Sequence, residues 1–515
     1  MGLRDDSPPF VRKRAERRAA MGGAEKVRRI HERGRLTVRE RIDRLLDPGS
    51  FHELGTFARS ERPEDHDTTP GDGKIVGFGR LAGREVGVAG DDVTVKRGSS
   101  APVGSRKVAR AMERSLSVGC PFVYFGETGG ARIPDTLGSE GFSSVPPSLA
   151  ASERARAVPV VSVIAGESFG GSSFQAAFSD VVIQVRGSCL AVTSPRVIHV
   201  ATGEDIGFEQ LGGVDVHART TGMIDRVAET EDDAIAQVKT CLGYLPQNAW
   251  SLPERAAWDG SLADDDRIYD LVPTRRTRAY DMRKVIALLS DDGQVFELKP
   301  DFARSMTTAL CRVAGRSVGF VANNPNYYAG AITPDGCDKA TSFVCLCDAF
   351  NIPLVFLQDV PGFMVGRKVE HERLLHKAIM FEYALGLCRV PRITVILRKA
   401  FGLAYFSMGG GRMGARRTLA WPGAEISFMD PEVGVNVLHA ERLKDAADPV
   451  AERARLVEEF RRDTDPFGAA GIMDIDEVID PAETRRWLRR EIDGFDLQPD
   501  ARGQRRPLAY WPTCF

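Results

Sequence analysis

Two proline-led apolar runs, each ending in a glycine pair, are echoed later in this 515-residue chain at a constant offset, and that echo limits the fold more than any other feature. The first copy spans Gly119 to Phe174: GCPFVYFGETGGARIPD, a spacer, then VPVVSVIAGESFGGSSF. The second reads NIPLVFLQDVPGFMVG and VPRITVILRKAFGLAYF. Pro121 and Pro159 stand 38 apart, as do Pro353 and Pro391, which lie 232 residues beyond them. Phe169-Gly170 recurs as Phe401-Gly402 at the same offset. Short apolar, β-branched runs bounded by turn residues read as buried strands. The chain is therefore expected to be one α/β domain written twice, with the boundary near Asp259 inside the Pro- and Asp-rich stretch 245–273. This gives an N-terminal domain over 1–259 and a C-terminal domain over 260–515.

Strand-to-helix turns without side chains let backbone N–H groups converge on one oxygen. Donors fixed in this way stabilise charge developing on a thioester oxygen as its α-carbon becomes an enolate. Any single glycine pair is better explained by a tight turn in a parallel sheet. Two pairs, Gly129-Gly130 and Gly170-Gly171, with echoes at matched spacing favour the oxyanion hole.

The balance of 69 basic and 71 acidic residues, net charge −2, gives no sign of nucleic-acid binding. No apolar run reaches the length of a membrane span, and the N-terminus lacks a secretory core. Glu16, Glu25 and Glu40 among the basic residues of 1–45 argue against a transit peptide, so a cytoplasmic protein is expected. Nine scattered cysteines read as reduced core thiols. Cys345 and Cys347 point to different faces of a helix and have no zinc-spaced partners, so no metal is expected.

Residues 1–45 have helical periodicity, and LTVRERIDRLLDPGSF carries a helix stopped at Asp47-Pro48-Gly49. From Lys74 to Asp92 the alternation around Gly83 predicts a β-hairpin. The basic turn Lys96-Arg97-Gly98-Ser99 precedes a helix, and Lys96, Arg97, Arg106 and Lys107 are either phosphate ligands or a solvated charged face. Two short strands follow Phe174. No nucleophile elbow, P-loop or HExxH motif is present. His199, His217, His371, His376 and His439 stand singly, which fits chemistry done by oriented amides and a borrowed cofactor.

At the level of whole motifs the chain resembles the carboxyltransferase (β) subunits of biotin-dependent acyl-CoA carboxylases, such as propionyl-CoA carboxylase. The likeness rests on HERGRLTVRERIDRLLDPGSF, DDVTVKRGSS, GETGGARIPD, GEDIGFEQLGG, LQDVPGFMVGRKVE, PRITVILRKAFGLAYFSMGG and AWPGAEISFM. The resemblance implies tandem crotonase-like domains in a homo-hexamer (a trimer of dimers) or a mixed oligomer. It also implies an acyl-CoA substrate, and biotin supplied by a biotin carboxylase/biotin carrier (α) subunit. Gly129, Gly130, Gly170 and Gly171 would hold the thioester oxygen, with Ala131, Arg132, Ser172, Lys96, Arg97 and Phe406 around the substrate. Gly362, Leu403 and Ala404 would hold the biotin oxygen. Pro361 stands where the first copy has Gly129 and has no N–H to give.

The departures from the family pattern concentrate in the second half, the first half showing only the mild change of Glu127-Thr128 for Asp-Ser. Gly402-Leu403-Ala404-Tyr405-Phe406 replaces Gly-Gly-Ala-Tyr-Asp, Lys377-Ala378-Ile379-Met380 replaces His-Gly-Ala-Lys, and Met429-Asp430-Pro431 replaces Met-Gly-Ala. Leu403 requires a negative φ, and Phe406 is expected to reshape the acyl pocket that the family's Asp helps to define. Two alternatives follow: a biotin-independent crotonase-type decarboxylase or lyase, and a non-catalytic subunit paired with an active homologue. No biotin-attachment Met-Lys-Met and no ATP-grasp domain is evident, so carboxylase activity requires partner chains.

Overall fold

A computed structural model describes residues 3–145, 154–411 and 413–511. The chain divides into two compact units, Met1–Ser251 and Leu252–Thr513. The division falls ahead of Asp259 because Arg255 and Ala256 already bond to Ala314 and Gly315 of the second unit.

The first unit is built on β1 (His52–Leu54), β2 (Lys74–Leu81), β3 (Arg84–Asp91), β4 (Phe122–Thr128), β5 (Val160–Phe169), β6 (Val181–Val185), β7 (Cys189–Ala191) and β8 (Arg226–Ala228). The path is β1-β2-β3-β4-β5-β6-β8, with β7 beside β5. β2 and β3 form the expected antiparallel hairpin, and the strands from β3 onward pair in parallel. Parallel strands need crossovers, which the helix Pro102–Val118 supplies between β3 and β4. With both faces covered, β4 has no exposed position, which is why its sequence is a continuous apolar run.

The second unit repeats this plan with β9 (Phe296–Leu298), β10 (Met306–Val313), β11 (Arg316–Asn323), β12 (Leu354–Val360), β13 (Arg392–Phe401), β14 (Arg417–Ala420), β15 (Glu425–Ser427) and β16 (Glu477–Val478). Its path is β9-β10-β11-β12-β13-β14-β16, with β15 beside β13. The tandem α/β duplication is thus what the chain folds into. From β2 to β5 and from β10 to β13 every strand boundary is displaced by 232. So is the register shift between strands, at Gly126/Thr128 and at Gln358/Val360.

The offset breaks before β2. The first unit places residues 55–73 between β1 and β2, whereas 299–305 suffice between β9 and β10. Both hairpins turn through an Ala-Gly pair at positive φ, and both turns are fastened by one carboxylate. Asp47 accepts from Ala82 and Gly83 at 2.9 Å each, and Asp291 from Ala314 and Gly315 at 3.1 and 2.7 Å. The helix Val38–Leu45 is opened by a capping box between Thr37 and Glu40 and delivers Arg41 to the interior. Cys120, Cys189, Cys241, Cys311, Cys337, Cys345, Cys347 and Cys388 are free and buried. No helix among the described residues is long and apolar enough to cross a membrane.

Candidate active site

In each unit the carboxyl ends of two neighbouring parallel strands run into the glycine turns. After β4 the chain passes through Thr128-Gly129-Gly130-Ala131. After β5 it turns at Gly170, φ 61° and ψ −125°, into the helix Gly171–Ala177. Such a conformation is open only to glycine, and Gly402, φ 65°, repeats it after β13.

Most backbone donors near these turns are already used. Gly129 gives its N–H to the Arg97 carbonyl (3.1 Å), Gly130 to Thr128 Oγ1 (3.1 Å) and Gly170 to the Val192 carbonyl (3.1 Å). The Ser100 N–H binds the Gly130 carbonyl at 2.9 Å, and Arg132 N–H binds the Ser100 carbonyl at 2.8 Å. Among the described residues this leaves Ala131 in the first turn, and Gly171 and Ser172 in the second, with no partner for their N–H groups. The expected set Gly129, Gly130, Gly170 and Gly171 thus contains one unengaged donor, Gly171. Ala131 and Ser172 supply the others.

The second unit has the same geometry. Ile332 N–H binds the Gly362 carbonyl at 3.1 Å, Met364 N–H binds the Ile332 carbonyl at 2.9 Å, and Gly402 N–H binds the Ser427 carbonyl at 3.0 Å. The N–H groups of Gly362, Phe363, Leu403 and Ala404 have no partner among the described residues. Leu403 sits at φ −63°, so its side chain costs nothing in backbone strain. Phe406 is 40% exposed, with its ring against Tyr405 (centroids 5.2 Å apart) and beside Gly411.

The charged candidates separate on burial. Lys96 and Arg97 stand on a positive-φ turn, paired with Asp65 at 3.1 Å and Glu167 at 2.6 Å. Both side chains are well exposed, 40% and 71%. Surface pairs of this kind are worth about 0–1 kcal/mol, so either cation can be recruited by an incoming anion. Arg106 pairs at the surface with Glu61. Lys107 is half-buried, and its ammonium is already engaged by the Gly71 and Lys74 carbonyls at 2.9 and 2.6 Å rather than presented at the surface. Arg132 is likewise committed, with its guanidinium held by Asp72 at 2.5 Å and Asp135 at 2.7 Å. It fastens the turn through these two carboxylates.

Beneath the first turn lies Glu127, buried and bound by Arg35 at 2.7 Å and Arg41 at 2.8 Å, with Glu231 completing the cluster. Burial works against the charge on Arg41, yet Glu127 and Glu231 hold its pKa above the ordinary arginine value. Beneath the second turn lies Asp359, with Arg398 at 2.8 Å and Lys399 at 3.5 Å. These carboxylates escape a reading of the sequence, because Arg35 and Arg41 reach Glu127 from about ninety residues away. No group of His, Cys, Asp or Glu that could hold a metal occurs among the described residues.

A model of the carboxyl transferase domain matches residues 29–493. The chain is 38% identical over 488 residues to the methylmalonyl-CoA carboxyltransferase 12S subunit of Propionibacterium freudenreichii subsp. shermanii, covering 94% of this chain and 93% of that one. It is 36% identical over 495 residues to the propionyl-CoA carboxylase carboxyltransferase subunit of Haloferax mediterranei, covering 95% and 96%. A solved structure of transcarboxylase 12S, described as a hexamer with methylmalonyl-coenzyme A and methylmalonic acid bound, is similar with a TM-score of 0.91 and 36% identity, covering 98% of both chains.

Proposed function

The chain belongs to the carboxyl transferase domain family and is an acyl-CoA carboxyltransferase of the propionyl-CoA and methylmalonyl-CoA carboxylase type, and from that premise we propose how its residues divide the work. Its fold is a pair of crotonase-like domains, and we assign the first unit to the acyl-CoA and the second to biotin. The observation that carries this reading is the duplicated pair of turns, each presenting N–H groups with no partner among the described residues.

In the first unit, Ala131, Gly171 and Ser172 donate to the thioester oxygen and stabilise it as the α-proton leaves. The exposed cations Lys96 and Arg97 take the phosphates of coenzyme A by exchanging Asp65 and Glu167 for the incoming anion. Arg132 holds the turn in place through Asp72 and Asp135. In the second unit, Gly362, Leu403 and Ala404 present the donors that a ureido oxygen gaining negative charge requires, so the residues present fit biotin. Biotin carried by a partner chain would supply the carboxyl group and a ring nitrogen able to accept the α-proton. Phe406 lies in the second unit, at the position where the resembled family's Asp helps to set acyl specificity, and there it narrows or re-aims the acyl pocket. The 12S relative is described as a hexamer, and we propose the same assembly here. Eight free cysteines support a reducing compartment, and we place the protein in the cytoplasm.

The test is carboxyl transfer between a panel of acyl-CoA thioesters and a biotinylated carrier protein, with and without the carrier. Transfer that needs the carrier is expected. Release of CO2 from a carboxyacyl-CoA without any carrier would assign a decarboxylase instead, and no turnover in either arm would refute the reading.

A further inference from the structure

The two units hold the same donor turn with different side chains, and the substitutions compensate one another. In the first unit Asp91 Oδ2 accepts the Glu127 N–H at 3.0 Å. Asp91 Oδ1 binds Lys74 Nζ at 2.6 Å, and Lys74 Nζ reaches the Gly98 carbonyl at 2.9 Å. In the second unit one neutral residue does both jobs. Asn323 Oδ1 accepts the Asp359 N–H at 3.4 Å, and Asn323 Nδ2 donates to the Gly330 carbonyl at 3.1 Å. Asn323 is the copy of Asp91 at offset 232, and Met306 is the copy of Lys74. Each pair stands directly across a hairpin, Lys74 from Asp91 and Met306 from Asn323.

A second exchange concerns the next carbonyl. The Arg97 carbonyl is taken by the Gly129 N–H at 3.1 Å. In the copy, Pro361 has no N–H, and the Ala329 carbonyl is taken by Lys399 Nζ at 3.2 Å. Lys399 is buried, with Asp359 at 3.5 Å. Each unit thus spends one buried lysine–carboxylate pair on its turn, at a different point. The backbone held is the same: a Cβ on Gly98 or Gly330 would lie 2.5 Å from the carbonyl oxygen of Glu127 or Asp359.

We infer that Lys74 with Asp91, and Lys399 with Asp359, are positioning residues that fix the donor segments 129–131 and 361–363 for carboxyl transfer. The inference rests on the assignment of those segments as oxyanion donors. A turn held by unlike side chains in two copies is one whose backbone position matters, because a displacement of about 1 Å at a reacting centre can cost 10²-fold. Removing one member of a buried ion pair leaves the other uncompensated, whereas replacing both together does not.

The experiment transplants one unit's solution into the other. Lys74→Met and Asp91→Asn, made singly, are expected to lower kcat roughly 10- to 100-fold while KM for the acyl-CoA moves about twofold or less. The double variant, which installs the Met306–Asn323 arrangement, should recover to within about threefold of wild type, a coupling that independent sites do not show. Lys399→Met should lose kcat in the same way, and Pro361→Gly in that background should restore it by returning the missing N–H to the Ala329 carbonyl. Amide hydrogen exchange of the 127–132 and 359–364 peptides is read in parallel, with faster exchange in each single variant and recovery in each double. A double variant no better than the product of its singles, or folded singles with unchanged kcat and exchange, would overturn the inference. Should Lys74→Met not fold, the Lys399→Met and Pro361→Gly pair decides alone. A wild-type protein that transfers no carboxyl group would refute the proposed function, and the exchange data would still decide this inference.

Discussion

Gly171→Pro isolates one proposed donor. Gly171 is the first residue of its helix, with no partner for its N–H and no atom nearer than Ser100 Oγ, 3.9 Å from where a Cβ would stand. Proline is well tolerated at the first helical position, because that N–H has no intrahelical partner. The helix keeps its first bonds, since the Gly170 carbonyl receives Phe174 N–H at 3.0 Å and Ser173 Oγ at 2.8 Å. Gly170, at ψ −125°, is outside the helical region that a following proline disfavours. The cost to folding is therefore small, and the cost to catalysis is that of one oxyanion donor, about 10²–10³ in kcat or roughly 2.7–4 kcal/mol. Gly171→Ala is the control, because it keeps the N–H, and Leu403 shows that the matching turn carries a side chain. Steady-state carboxyl transfer is measured for both, with thermal unfolding to confirm the fold. Equal kcat in the folded Pro and Ala variants would remove Gly171 from the oxyanion hole.

Phe406→Asp should widen the pocket and shift acyl preference toward longer chains or more polar acyl groups. The change is graded, because one methylene in such a pocket is worth about 1–3 kcal/mol; an unchanged kcat/KM ranking over acetyl-, propionyl-, butyryl- and longer acyl-CoAs would take Phe406 out of the pocket. Burial pulls the Lys107 ammonium down to about 8, against Glu53 and Asp72, which raise it. The folded chain then holds fewer protons than the unfolded one between pH 8 and the ordinary lysine value of 10.5. Wild-type stability relative to Lys107→Met should therefore be lowest below pH 8 and rise across that window, and a flat difference in Tm would contradict it. Arg41, 1% exposed, serves both Glu127 and Glu231, so Arg41→Met should destabilise by about 3–5 kcal/mol in denaturant unfolding; a loss below 1 kcal/mol would show that the cluster is solvated.

The duplication was legible because prolines and glycines mark strand ends by local sterics, and four of them sufficed to reveal the offset. The structure carries that offset back to Lys74, where no proline marks it. It fails at β1 and β9, because a twelve-residue difference in the connecting segment shifts the count. Donor availability was not legible. Whether the Gly129 N–H is free depends on the Arg97 carbonyl across the turn, and pairing of that kind is set by tertiary packing. Lys107 misled for a related reason. A basic helix reads as a charged face until the fold shows which lysine turns inward, and Lys107 turns toward two carbonyls. The ties made by Lys74, Asp91 and Asn323 join strands through cross-strand neighbours and leave no periodic trace.

The eight buried cysteines among the described residues make the chain its own unfolding reporter. Of these, three lie in Met1–Ser251, at 120, 189 and 241, and five in Leu252–Thr513, at 311, 337, 345, 347 and 388. Burial lifts the Cys311 and Cys388 thiols to about 12, so the reactive thiolate is scarce at neutral pH while the core stays closed. An alkylating reagent therefore modifies these sites only through opening of the surrounding structure, and at the opening rate once the reagent is concentrated enough to outpace reclosing. Peptide mapping of the labelled protein would time the opening of each half separately, with no engineered probe and no assumption that both halves open together.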